Sequence, residues 1–132
     1  MEGLISGFLV LADPYLLALL VMATLGGVVI GALPGLNATT GAALLLPFTL
    51  TMDPVPAISI MTAIYCSATF AGAITAILIN TPGTAASATT CLDGYPLAQR
   101  GEAGRALGMA VVSSTIGGVF SVICLMIAAP FL

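Results

Sequence analysis

The sequence contains no histidine, no lysine and no tryptophan, and only two arginines. Without imidazole it lacks the commonest general base and the usual nitrogen ligand for zinc. Without lysine it has neither a Schiff-base amine nor the phosphate-binding lysine of a Walker loop. Two guanidinium groups cannot neutralise a phosphate backbone, which argues against nucleic-acid binding. The three cysteines, Cys66, Cys91 and Cys124, show no CxxC spacing, and two of them lie inside apolar runs, where they read as small hydrophobic residues. The serines and threonines have no histidine or lysine to activate them, so an intramembrane enzyme is disfavoured. No catalytic residue, resident cofactor or metal-ligand set is expected.

Charge is equally scarce. Of 132 residues only 5% are charged, against roughly 25% in a soluble domain. Five acids and two arginines give 2 − 5 = −3. The charges leave three uncharged stretches, 14–52, 54–92 and 106–132, each longer than the roughly 20 residues that cross a bilayer as a helix. With 60% apolar residues, the expected class is an all-α, multi-pass protein embedded in the lipid bilayer. The start, Met1-Glu2-Gly3, lacks the basic n-region of a cleaved signal peptide and is expected to be retained.

Local punctuation subdivides these stretches. Residues 3–12 are apolar but short and end at Asp13-Pro14, which suits an interfacial helix. Residues 15–33 make one span, in which Gly27, Gly31 and Gly35 recur at the four-residue spacing that lets a second helix approach closely. Residues 36–52 are short for a crossing and polar at their start, so they read as a re-entrant half-helix or a short tilted span. Asp53-Pro54-Val55-Pro56 marks a turn or first helical turn at the membrane surface. Residues 57–79, rich in Ala, Ser and Thr, make a second span. A broken short helix is expected over 84–92, then a polar loop over 93–105, then a third span over 106–132. The loop holds both arginines, Arg100 and Arg105, and the positive-inside rule places it in the cytoplasm. The apolar run at the end of the chain suggests the N-terminal portion of a larger permease.

Two interruptions stand out: Pro34-Gly35-Leu36-Asn37-Ala38-Thr39-Thr40, and Asn80-Thr81-Pro82-Gly83-Thr84 followed by small and hydroxylated residues up to Thr90. Each couples Pro-Gly to an asparagine and ends in Ala-Thr-Thr. Helices broken at Pro34 and Pro82 free N–H groups that can hold a carboxylate, and carbonyls that can hold a hard cation. Gly35, Asn37, Thr39, Asn80, Thr81, Gly83 and Thr84 are therefore the candidate substrate- and cation-binding residues. The alternative is that Pro-Gly is a turn at the headgroup level and the hydroxyls bond their own helices. The chain would then be a non-transporting membrane scaffold whose Gly, Ser and Thr serve only packing. A proton-conducting rotor subunit needs a carboxylate inside a span, whereas Asp13, Asp53 and Asp93 all lie beside turn residues.

Three stretches resemble one family: Gly31-Ala32-Leu33-Pro34-Gly35-Leu36, the Asn80–Thr84 break, and Asp93-Gly94-Tyr95-Pro96-Leu97-Ala98 followed by Arg100-Gly101 and Ala106-Leu107. In order and spacing they are similar to the N-terminal region of the large membrane subunit of bacterial tripartite tricarboxylate transporters. The resemblance implies a bacterial inner-membrane permease subunit for cation-coupled uptake of carboxylates such as citrate, driven by Na⁺ or H⁺. It also implies a periplasmic substrate-binding protein and a smaller membrane subunit as partners.

Overall fold

The computed structural model describes residue 7 and residues 9–129. It is 84% helical, with no strand among the described residues. The helices are α1 (Pro14–Gly31), α2 (Ala38–Thr49), α3 (Pro54–Ile79), a 3-10 turn (Ala85–Ser87), α4 (Ala88–Gln99) and α5 (Ala103–Ala128). Of the interfacial segment anticipated at 3–12, residues 3–6 and 8 lie outside the described residues, while 7 and 9–11 are helical. Residues 130–132 of the anticipated last span also lie outside them. α1, α3 and α5 are long and apolar enough to cross a membrane.

Local chemistry explains where the helices start. Asp13 caps α1 by accepting the Tyr15 N–H at 2.9 Å, and Pro14 occupies the first turn, where its missing N–H costs nothing. α3 likewise begins on Pro54. It is the central element, and α1, α2, α4 and α5 all pack on it.

The contacts set the direction of each helix. Ala23 meets Ile60, Gly27 meets Ile64 and Ser67, and Gly31 meets Ala68, so α1 and α3 run parallel. The approach is backbone to backbone: a Cβ on Gly31 would overlap the main chain of Ala68, and one on Gly27 would lie 2.8 Å from the Ile64 carbonyl oxygen. Two of the three glycines spaced by four residues thus serve close packing. Gly35 does not; it faces open space at φ +93° and turns the chain. α2 runs back along α3, with Gly41 against Ile30 and Ile64 and the Thr49 hydroxyl near Met61. Residues 14–52 therefore form a helical hairpin whose two ends, at Asp13 and Asp53, lie at the same end of α3. At 12 residues, α2 is only about 18 Å long.

The chain reverses again after α3. Asn80 ends the helix in the left-handed conformation, φ 55° and ψ 30°, which asparagine tolerates better than most residues. The chain then folds back until Gly83 lies against Gly72, about two turns before the end of α3. There the 3-10 turn begins, and α4 returns alongside the last turns of α3.

The structure corrects the polar loop anticipated at 93–105. α4 continues to Gln99, past Asp93-Gly94-Tyr95-Pro96, and the connection to α5 is only Arg100, Gly101 and Glu102. Gly94 is buried against Ile77 of α3, where a Cβ would lie 2.7 Å from the Ile77 Cγ1. This tertiary contact holds a helix that composition alone disfavours. The broken short helix is correspondingly Ala88–Gln99 rather than 84–92. α5 then runs antiparallel to α3 and is exposed from residue 111 to residue 129.

Candidate functional site

α2 begins at Asn37, whose backbone is extended (φ −123°, ψ 173°). Its Oδ1 accepts the Thr40 N–H at 2.8 Å and the Thr40 hydroxyl at 3.0 Å. The Thr40 N–H needs an acceptor, so the amide oxygen must face the helix. The Asn37 NH₂ group, which can only donate, is left pointing away from it. The N–H groups of Ala38 and Thr39 have no acceptor among the described residues, as expected for the first turn of a helix.

The second break is capped differently. Thr84 and Ser87 form a reciprocal box: the Ser87 N–H donates to Thr84 Oγ1 at 3.3 Å, and the Thr84 N–H donates to Ser87 Oγ at 3.0 Å. The Ser87 hydroxyl donates to the Thr84 carbonyl at 2.8 Å, and the Thr84 hydroxyl donates to Ser87 Oγ at 3.2 Å. Both side chains are thereby spent on holding the turn. The N–H groups of Ala85 and Ala86 find no acceptor among the described residues.

These two helix starts open onto one cleft of about 530 Å³, lined by Asn37, Ala38 and Thr39 on one side and by residues 82–86 on the other. Tyr65 and Thr69 form its floor, and they stand at the middle of the 26 residues of α3. Gly83 makes the convergence possible. A Cβ there would lie 2.8 Å from Gly72 Cα and 3.0 Å from the Gly31 carbonyl oxygen, so the second break is wedged between α3 and the last turn of α1. Among the described residues no charged side chain lines the cleft. Helix N-termini each carry the equivalent of roughly half a positive charge, and free N–H groups aimed at a cavity suit a carboxylate or phosphate oxygen.

Of the candidate residues, Asn37, Thr39, Gly83 and Thr84 line this cleft together with the break residue Pro82. Pro34, Gly35, Asn80 and Thr81 do not. Gly35 turns the chain ahead of Asn37, Asn80 terminates α3, and the Thr81 hydroxyl donates to the Ile79 carbonyl at 3.3 Å. Tyr65 and Thr69 escaped the sequence reading, although polar residues four apart at the centre of an apolar span were a usable signal. Among the described residues no three Asp, Glu, Cys or His side chains come together as a metal site.

Three long apolar helices, with two breaks whose N-terminal ends share a cleft at mid-span, define a multi-pass membrane protein of the broken-helix construction. The chain belongs to the tripartite tricarboxylate transporter TctA family, which matches residues 17–132. That is a family of transporter membrane components rather than of enzymes. The chain is 44% identical over 104 residues to an uncharacterised 52.8 kDa protein in the TAR-I ttuC′ 3′ region of Agrobacterium vitis. The alignment covers 79% of this chain and 21% of that protein, so the chain spans about one fifth of the length of this curated relative. No solved structure matches.

Proposed function

We propose that the chain contributes part of the substrate site of a bacterial inner-membrane permease that takes up carboxylates, such as citrate, coupled to Na⁺ or H⁺ entry. A periplasmic binding protein delivers the substrate, and a smaller membrane subunit completes the assembly. Family membership supports the class of cargo. The observation that carries the site is the uncharged cleft at mid-span of α3, onto which the starts of α2 and of the 3-10 turn preceding α4 both open. Such a cleft binds an anion through backbone dipoles, the Asn37 amide and the Thr39 hydroxyl. It needs no buried arginine, and this chain offers none: Arg100 and Arg105 lie at the turn between α4 and α5. Main-chain carbonyls freed at the ends of α1 and α3 are the available oxygen ligands for a coupling cation. The arginine-bearing turn lies on the cytoplasmic side.

Uptake of radiolabelled citrate by cells carrying the complete permease and its partners tests this reading. The expected result is saturable accumulation that depends on a cation gradient and is lost when Asn37 and Thr39 are both replaced by valine at equal membrane expression. Unchanged uptake kinetics in the double variant would overturn it.

A further inference from the structure

The cleft is the first of three overlapping cavities. The second, of about 410 Å³, shares Tyr65 and Thr69 with the first and extends to Ala73, Thr90 and Ser114. The third, also about 410 Å³, shares Ala73, Thr90 and Ser114 with the second and extends to Ile77, Asp93 and Ser113. On α3 the succession follows Tyr65, Thr69, Ala73 and Ile77, one stripe at four-residue spacing. From Tyr65 to Ile77 the stripe advances 12 positions, about 18 Å at 1.5 Å per residue. The stripe leads from mid-span to the end of α3, beside the junction where Arg100 lies in the turn and Arg105 in the first turn of α5.

The hydroxyls along this succession divide in two: Thr69, Thr89 and Ser113 donate to carbonyls three or four residues back and Thr84 and Ser87 bond within their own cap, whereas four others have no such partner. Thr24, Ser59, Thr62, Ser67 and Thr115 each return their proton to a carbonyl of their own helix, at 2.6 to 2.8 Å, which removes the need for any outside partner. Thr39, Tyr65, Thr90 and Ser114 donate to no protein atom among the described residues, and all four line the three cavities. The other hydroxyls there without an acceptor are Tyr15, Tyr95 and Ser121. Tyr15 and Tyr95 lie toward the ends of the helices; Ser121 is on α5, outside the cavities. An unpartnered hydroxyl facing hydrocarbon is costly, whereas one facing water is not.

We propose that these cavities form the water-filled half of the translocation path between the cleft and the arginine-bearing end, with Tyr65, Thr90 and Ser114 as successive hydrogen-bonding stations. This rests on the carboxylate-permease reading for its cargo, but not for its water. Hydroxyls suit such a path because they hydrate an anion without holding it as a fixed cation would.

Accessibility to a membrane-impermeant, negatively charged methanethiosulfonate tests the path in the complete permease, in membrane fragments open on both faces. A thiolate attacks the reagent to form a mixed disulfide with release of methanesulfinate, and thiolates form in water and not in lipid. Ser114→Cys and Thr90→Cys are compared with Phe120→Cys on the apolar outer side of α5. Native Cys66, which lines the second cavity, gives the same readout without substitution when its modification is followed by peptide mass spectrometry. The expected result is that positions 66, 90 and 114 react faster than position 120 by about tenfold or more, and that citrate slows them. Positions 66, 90 and 114 reacting no faster than position 120, in protein assembled at wild-type level, would overturn the path and show the groove filled by lipid or by another helix. Fast reaction that no carboxylate slows would support the path while removing the proposed cargo.

Discussion

Replacement of Asn37 by aspartate separates folding from ligand binding, because the two respond with opposite sign. As a helix cap aspartate equals asparagine. A carboxylate at a helix start also gains roughly 0.3–1 kcal/mol from the dipole. The Oδ1 that accepts from Thr40 is retained, so the variant should be at least as stable as the parent. Toward the cleft the change is adverse. The NH₂ donor is lost, worth roughly 1.5–3 kcal/mol when it serves a charged partner. A new negative charge about 5 Å from a bound carboxylate repels it by about 3 kcal/mol at an effective dielectric of about 20. Either effect costs at least about tenfold in affinity, and together they cost about three orders of magnitude or more. The assay is citrate uptake against concentration in cells with matched membrane expression, alongside thermal unfolding of the purified permease in detergent. Asn37→Ser keeps an acceptor for the cap without adding charge and should show an intermediate loss. Wild-type half-saturation in Asn37→Asp, at undiminished thermal stability, would refute the assignment and leave Asn37 as a cap only.

Three further outcomes follow from the packing, the caps and the charges. Gly31→Val forces the backbones of α1 and α3 apart at Ala68 and should cost about 1–3 kcal/mol, seen as a lowered detergent unfolding temperature; Gly26→Ala, which meets nothing within 4 Å, is the neutral control. Thr84→Val removes the side-chain acceptor of the Ser87 N–H at 3.3 Å and leaves it only the Thr84 carbonyl at 3.1 Å, which should destabilise by at most about 1 kcal/mol, while Thr84→Ser restores the parent value in the same unfolding assay. Gln99→Cys should resist an impermeant thiol reagent added outside intact cells and react once the cells are opened; ready labelling from outside would reverse the assigned orientation.

The helical class and the apolar character of the long helices were legible in composition, because a helix in hydrocarbon satisfies its own backbone and needs only length and apolar side chains. The chain breaks are also local matters. Asp13-Pro14 starts a helix, the Pro34-Gly35 pair turns one, and Asn80 ends one wherever the rest of the chain lies. The misread stretch at 93–105 marks the limit of that logic. Asp93-Gly94-Tyr95-Pro96 is a loop by composition, but Gly94 lets α4 sit directly on Ile77, and that contact outweighs local preference.

What no local pattern contains is which helix starts face each other. Asn37 and Thr84 are 47 positions apart in the sequence. They share a cleft because the glycines of α1 set its register against Ile64, Ser67 and Ala68, and because Gly83 wedges the second break against Gly72. The same packing separates the two asparagines that looked equivalent in the motifs, leaving Asn37 at the cleft and Asn80 as the end of α3. It also brings Tyr65 and Thr69, polar residues within an apolar span, to the floor of the cleft. Helix breaks are decided by the dihedral preferences of a few neighbouring residues, whereas a site shared between them depends on the depth to which each hairpin is inserted, and only interhelical contact sets that depth.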